Sequence, residues 1–249
     1  MLRKVPLVLL LATAAFLPAS AFGQTVDEII AKHIQARGGM DKLNAAKTIR
    51  MTGKMTVGPG MEAPVVLEQK RPNSIRIEFT IQGMTGTMAY DGKAGWSLIP
   101  FSGKKDPEPM GEDDLKEAEE QADLDGPLVN YKEKGNKVEL IGKQQVEGTD
   151  AYKVKATLKD GTVQYEYLDA DSYLVIKEES KRTIRGVERE TESTIGDYKK
   201  VEGVMYPCSI ESSAKGESQK QKVTIEKIEV NPPIDDSRFK IPEAKKADK

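Results

Sequence analysis

Apolar residues recur at every second position over much of the chain. Ile49, Met51, Gly53, Met55 and Val57 alternate with Thr48, Arg50, Thr52, Lys54 and Thr56. Ile75, Ile77, Phe79 and Ile81 alternate with Ser74, Arg76, Glu78 and Thr80, and Met84, Gly86, Met88 and Tyr90 continue after a turn at Gly83. Successive side chains of an extended chain point to opposite faces, so each run predicts a strand with one apolar and one wet face. Asp91-Gly92-Lys93 predicts a turn into a strand over 94–99 that carries Trp96, the only tryptophan. The same reading predicts strands near 64–70, 137–146, 150–159, 162–169, 173–182, 187–198, 204–213 and 219–230, for about eleven in all. In the last of them Val223 and Ile225 share a face while Ile228 and Val230 have the opposite parity, which predicts a bulge between the pairs. The turns are short, as at Asp160-Gly161 and Glu202-Gly203. Short connections imply antiparallel neighbours, and a long twisted sheet of that kind curls into a barrel or half-barrel.

Two segments break the alternation. Thr25 or Asp27 can cap a helix with Ile29, Ile30, His33 and Ile34 on one side, ending at Arg37-Gly38-Gly39 where glycine permits a left-handed exit. A second short turn covers Asp41 to Lys47. Farther on, Gly111 to Asp125 holds eight carboxylates and one lysine around a thin stripe of Leu115, Ala118 and Ala122. Gly126-Pro127 then restarts a helical turn that runs to Tyr131. The acidic stretch reads either as a lid across the sheet or as a helix that solubilises a surface.

The first residues add a compartment. Arg3 and Lys4 precede an apolar run from Val5 to Leu17, and Ala19-Ser20-Ala21 follows it. That is the pattern of a secretory signal peptide cleaved after Ala21. The expected organisation is therefore a signal peptide over 1–21, one domain over 22–242 and a disordered tail over 243–249, in the periplasm and without stable membrane insertion. Of 38 basic and 40 acidic residues, cleavage removes two basic ones, leaving a net charge near −4. An acidic balance argues against nucleic acid as partner, since phosphate binding needs a basic face.

Candidate chemistry is sparse. One cysteine, Cys208, rules out an internal disulfide, and its parity with Val204, Tyr206 and Ile210 points it into the core, where a thiol is inert. One histidine, His33, cannot by itself anchor a zinc site and reads as a packing residue of its helix. No glycine-rich phosphate loop is present. Neither a cofactor nor a metal is expected, and no catalytic residue is assigned. Carboxylates such as Glu78, Asp91 and Glu166 read as solvated strand residues, although a glycosidase-type pair among them stays open. What remains is the interior: Met51, Met55, Met84 and Met88 sit at inward-facing positions beside Phe79 and Tyr90, and methionines adapt to flexible apolar surfaces. They read either as core filling or as the wall of a cavity for an acyl chain, which contributes about 0.8 kcal/mol per buried methylene.

The order of several short motifs resembles the LolA/LolB-like superfamily of outer-membrane lipoprotein-sorting proteins. They are the N-terminal helix, Lys70-Arg71-Pro72-Asn73 before an alternating strand, Tyr90-Asp91-Gly92-Lys93 with Trp96 beyond, the helical interruption before Tyr131, and Arg238-Phe239-Lys240-Ile241-Pro242. The resemblance implies an unclosed antiparallel β-barrel, a half-barrel of about eleven strands with a helical lid and an N-terminal helix. It also implies a periplasmic carrier of lipoprotein acyl chains or a related lipid, which moves them from inner-membrane donor proteins toward outer-membrane acceptors. Arg71 would be the lid latch, its guanidinium tying several lid groups at once. Ile75, Ile77, Phe79, Ile81, Met84, Met88 and Trp96 are the candidate lipid-binding residues. The lid segment is more acidic than the resemblance leads one to expect. Two other classes stay open: an envelope scaffold module docking a basic partner through that lid, and a carboxylate-based envelope hydrolase.

Overall fold

The structure is a computed structural model that describes residues 24–58, 60–184 and 186–242. The segment read as a signal peptide, 1–21, and the expected tail over 243–249 lie outside the described residues. Helix α1 (Val26–Arg37) starts with Thr25 rather than Asp27 as its cap, because Thr25 and Glu28 satisfy each other's backbone N–H groups in a capping box. Its exit at Gly38 is tight: a Cβ there would sit 2.3 Å from the carbonyl oxygen of Gly203. Helix α2 (Met40–Ala45) follows at once.

The strands are β1 (Thr48–Gly58), β2 (Met61–Lys70), β3 (Ser74–Ile81), β4 (Met84–Tyr90), β5 (Gly95–Leu98) and the short β6 (Glu108–Pro109), then, after α3 (Glu112–Gln121), β7 (Lys137–Val146), β8 (Thr149–Thr157), β9 (Val163–Asp169), β10 (Val175–Ile184), β11 (Val187–Gly196), β12 (Lys199–Val201), β13 (Val204–Tyr206), β14 (Ser209–Ala214) and β15 (Gln221–Val230). Thirteen of them form one antiparallel sheet in the order β6-β5-β4-β3-β2-β1-β15-β14-β11-β10-β9-β8-β7, whose two edges do not meet. The predicted half-barrel is thus present, with more strands than the expected eleven. One extra strand in the sheet is the short β6 at its edge, which no alternation marked; apart from it, the predicted strand over 204–213 is cut at Pro207, which has no N–H to give a ladder, so β13 pairs with β12 in a separate ribbon and β14 stays in the sheet.

The parity switch in the last strand is a bulge. Thr52 faces Lys227 and Gly53 faces Ile225, so Glu226 is the extra residue. Gly53 is required there, because a Cβ would lie 2.0 Å from the oxygen of Thr224. Bending at such points increases local twist and lets β15 join the two halves of the sheet.

One face of the sheet is covered by helices. Ile29 and Ile30 of α1 pack on Tyr152, Val154 and Leu168, while Ala118 and Ala122, at and just beyond the end of α3, pack on Ile75 and Tyr90. The opposite face of β1–β5 is covered by the closing segment: Phe239 is buried and its carbonyl accepts from the Trp96 indole at 3.0 Å. Glu68, also buried, accepts from Arg50 at 2.8 Å and Arg238 at 2.6 Å, which pins that segment to the sheet. Cys208 is buried as its parity predicted, and burial pushes its thiol pKa up. Among the described residues no helix is long and apolar enough to cross a membrane.

Candidate functional site

Helix α3 bridges the two halves of the sheet, and the space beneath it is divided. Leu115, Ala118 and Ala122 turn toward β3 and β4, as the apolar stripe predicted. On that side a chamber of about 300 Å³ is lined by Ile75, Ile77, Met88, Ile99, Met110 and Ala118. Glu117 and Glu120 turn the other way, toward β10. Arg182 donates to Glu120 at 2.8 Å and lies 3.7 Å from Glu117, and Gln164 of β9 donates to Glu120. There a second chamber of about 820 Å³ is lined by Glu120, Gln164, Glu178, Ser180, Arg182 and Ser193, among others. Glu117 and Gln121 border both spaces. The two volumes fall in the range of ligand pockets, about 300–1,000 Å³.

The turn after α3 is clamped from below. Arg71 donates two 2.7 Å hydrogen bonds to the Asp125 carboxylate, one at 2.8 Å to Ala46 O and one at 3.0 Å to Leu43 O. The fork expected of Arg71 therefore ties α2 to the end of the α3 segment. Burial opposes ionisation of Asp125, but the hydrogen bonds and charge of Arg71, with help from Lys134 and Arg37, outweigh it and hold the pKa below the usual carboxylate range. Arg37, from the last turn of α1, donates to the backbone oxygens of Asp125 and Leu124. Lys134 completes the clamp by donating to Asp123 at 2.5 Å and to Gly126 O at 2.8 Å.

Of the residues singled out in the sequence, Ile75, Ile77 and Met88 meet in the apolar chamber. Phe79 lies farther along the same strand face, its ring 5.5 Å from Phe101. Ile81 and Met84 oppose each other at the tip of the β3–β4 hairpin, where Met84 is exposed. Trp96 does not join them: it pairs with Ala89, points to the opposite face, and stacks against Arg76 and the closing segment. Parity within one strand could not relate β5 to β3, because the hairpin register decides which face each residue takes.

Glu166 corrects the sequence reading. It is not solvated but 3% exposed, opposite Glu178 in the β9–β10 register. Burial, with Glu178 and Glu120 nearby, raises its pKa well above the usual value against the opposing charge of Arg37. Burial likewise raises Glu178 and carries Glu120 to about 7. The half of the sheet made by β9, β10, β11 and β14 thus turns polar side chains inward. Its outer face carries Tyr165 and Tyr167 with Lys153 ammonium 4.3 and 4.8 Å from their ring centres. Sequence reading missed this, and missed Asp125, Arg37 and Glu120. The signal available was the alternation Gln164, Glu166, Leu168 against Tyr165, Tyr167, which names two faces without saying which is covered. Among the described residues no group of three His, Cys, Asp or Glu side chains is placed to hold a metal ion.

His33 is buried, its Nδ1 2.8 Å from Tyr173 O, and desolvation plus the charge of Arg37 lower its pKa to about 4. It packs where the helix pattern put it.

An open antiparallel sheet roofed by helices, with its edges apart and a chamber beneath the roof, is the LolA-like fold. Among solved structures the chain is similar to a LolA superfamily protein from Nitrosomonas europaea, at 12% identity over 88% of this chain and 98% of that one, with a TM-score of 0.59. It is similar to a DUF1329 family protein from Desulfovibrio piger at 12% identity, 88% and 98% coverage and a TM-score of 0.55. A putative outer membrane lipoprotein-sorting protein domain from Vibrio parahaemolyticus matches at 11% identity, 84% and 94% coverage and a TM-score of 0.50. At such identities the likeness is one of fold. A family described as an uncharacterized protein matches residues 123–243, and no curated protein matches the chain.

Proposed function

We propose that this protein is a periplasmic carrier that holds an acyl chain of a lipoprotein or lipid under α3 and delivers it toward the outer membrane. The observation that carries the reading is the apolar chamber of about 300 Å³ between α3 and the face formed by Ile75, Ile77 and Met88. The signal peptide pattern and the fold shared with a lipoprotein-sorting domain support the compartment and the cargo class. In this account Arg71 is the latch: release of Asp125 frees the end of α3 so that the roof can lift. Binding is checked by displacement of a fluorescent fatty acid. Wild type is expected to bind it, Met88→Trp to bind at least about tenfold more weakly, and Met84→Trp, at the exposed hairpin tip, to bind like wild type. No binding by wild type, or equal binding by all three, contradicts the proposal.

A second reading, a carboxylate hydrolase acting on an envelope polymer, is favoured by one observation: Glu178, which lines the polar chamber, is paired across the β9–β10 ladder with buried Glu166, and burial raises the pKa of both as a general acid requires. Release of soluble fragments from peptidoglycan by wild type but not by Glu166→Gln would support it. Equal, background release by both would remove it.

A further inference from the structure

The polar chamber beside the apolar one has a surplus of hydrogen-bond acceptors. Gln164 and Ser180 face each other in the β9–β10 register, and Glu166 and Glu178 form the next row on the same face. Gln164 and Ser180 are 2% and 4% exposed, yet Gln164 Oε1 and Ser180 Oγ have no hydrogen-bond partner among the described residues. Buried polar atoms left unpaired are uncommon and costly, so two at one spot on a chamber wall point to a group that arrives from outside. The charges around them are unevenly matched. Arg182 is engaged by Glu120 and Glu117, Lys220 by Glu211, and Lys134 holds Asp123, whereas no ion pair engages Glu178 among the described residues.

We propose that this chamber binds the headgroup of the acyl ligand, and that the headgroup is a primary ammonium, held by Glu178, Ser180 and Gln164. The inference rests on the carrier reading and specifies its cargo. An ammonium brings three donors and one positive charge to a place that offers acceptors and, in Glu178, a carboxyl group that no ion pair engages among the described residues. A metal ion would need three convergent ligands, which the described residues do not provide. Glu117 and Gln121 border both chambers, so a ligand with its chain in the apolar one and its head in the polar one would pass beside these two side chains.

Protons should leave when such a group binds. Glu166 and Glu178 lie opposite each other; the groups acting on them are Arg37 from α1, Glu120 from α3, Arg182 from β10 and Tyr198 after β11, while Glu117 and Asp160 act on Glu120. With few cations against several carboxylates, burial keeps part of the cluster protonated, and an arriving ammonium favours ionisation. Affinity therefore rises with pH as Glu166 and Glu178 ionise.

The same ammonium can come from a lipid or from a lysine beside the acyl group of a lipoprotein, so the test has two arms. Chain-matched lysophosphatidylethanolamine and lysophosphatidylglycerol are titrated into the protein, as are two acylated peptides that differ only in lysine against glutamine next to the acyl group. The amine-bearing member of at least one pair is expected to bind about tenfold tighter. Ser180→Ala is expected to lower that preference severalfold while leaving the melting temperature of the free protein unchanged or higher, since it removes an unpaired hydroxyl. A merely structural serine would not behave so. Binding of all four probes without regard to the amine overturns this inference and leaves the carrier reading intact. Failure of every probe to bind contradicts the carrier reading itself.

Discussion

Replacing Arg71 tests the clamp that closes the roof. Its guanidinium makes four hydrogen bonds, two of them to a carboxylate that is 5% exposed, and the others to two carbonyls of the α2 region. Breaking one side of a buried, hydrogen-bonded pair costs about 3–5 kcal/mol, because the partner charge stays behind. Asp125 keeps Lys134 and the backbone contact of Arg37 nearby, so Arg71→Ala is expected at the lower end, about 3 kcal/mol. Lysine keeps the charge and loses the fork, so Arg71→Lys should cost about 2 kcal/mol. Asp125→Asn removes the same charge pair from the other side, and in a double-mutant cycle with Arg71→Ala the two should couple by about 1–3 kcal/mol. Urea unfolding followed by far-ultraviolet circular dichroism gives the stabilities. Hydrogen exchange gives the location: amides over 112–126 should lose protection in Arg71→Ala while those of β8 and β9 keep theirs. A loss below about 1 kcal/mol with an additive cycle would refute the clamp. So would loss of protection spread evenly over the sheet, which would make Arg71 a general brace.

Three further outcomes follow from the packing and the titrations. Phe239→Ala should cost about 3–5 kcal/mol and shift Trp96 emission to the red, since Phe239 is 1% exposed and its carbonyl holds the indole; unchanged emission would show that the closing segment does not cover Trp96. Glu120, raised from 4.5 to about 7, stabilises the fold most below pH 4.5 and loses that contribution as pH rises through about 7; its full size is at most about 3 kcal/mol, and Glu120→Gln should abolish this part of the pH dependence. His33, lowered from 6.5 to about 4, does the reverse: its contribution is present above pH 6.5 and lost as pH falls through about 4, so His33→Asn should flatten the acid limb while Glu120→Gln steepens it. Parallel pH profiles for the two variants would contradict the assigned directions.

How much of this was readable in the chain differs between the two halves of the sheet. In β1–β5 the apolar residues face the roof, so period-two alternation gave the strands, the turn at Asp91 and three residues of the apolar chamber. The bulge beside Gly53 was visible as a parity switch between Ile225 and Ile228. In β9 and β10 the same rule misleads. Tyr165 and Tyr167 take the opposite face of the strand beneath lysines, where Tyr167 is still only 1% exposed, while Gln164, Glu166 and Glu178 face the interior. An interior that is polar because it borders a chamber breaks the link between hydrophobicity and burial on which the reading depends. Arg71 was found because it sits in a motif. Its partner Asp125 was one of eight carboxylates in a row, and only the path of the chain after α3 separates it from the other seven.

The most direct test of the carrier account is to locate the chain itself. A fatty acid brominated near its end is soaked into crystals of the protein, and anomalous scattering places the bromine. The account predicts one bromine position between Ile77, Met88 and Ala118, in the chamber beneath α3. Bromine only at the exposed hairpin tips, or none at saturating ligand, would contradict it.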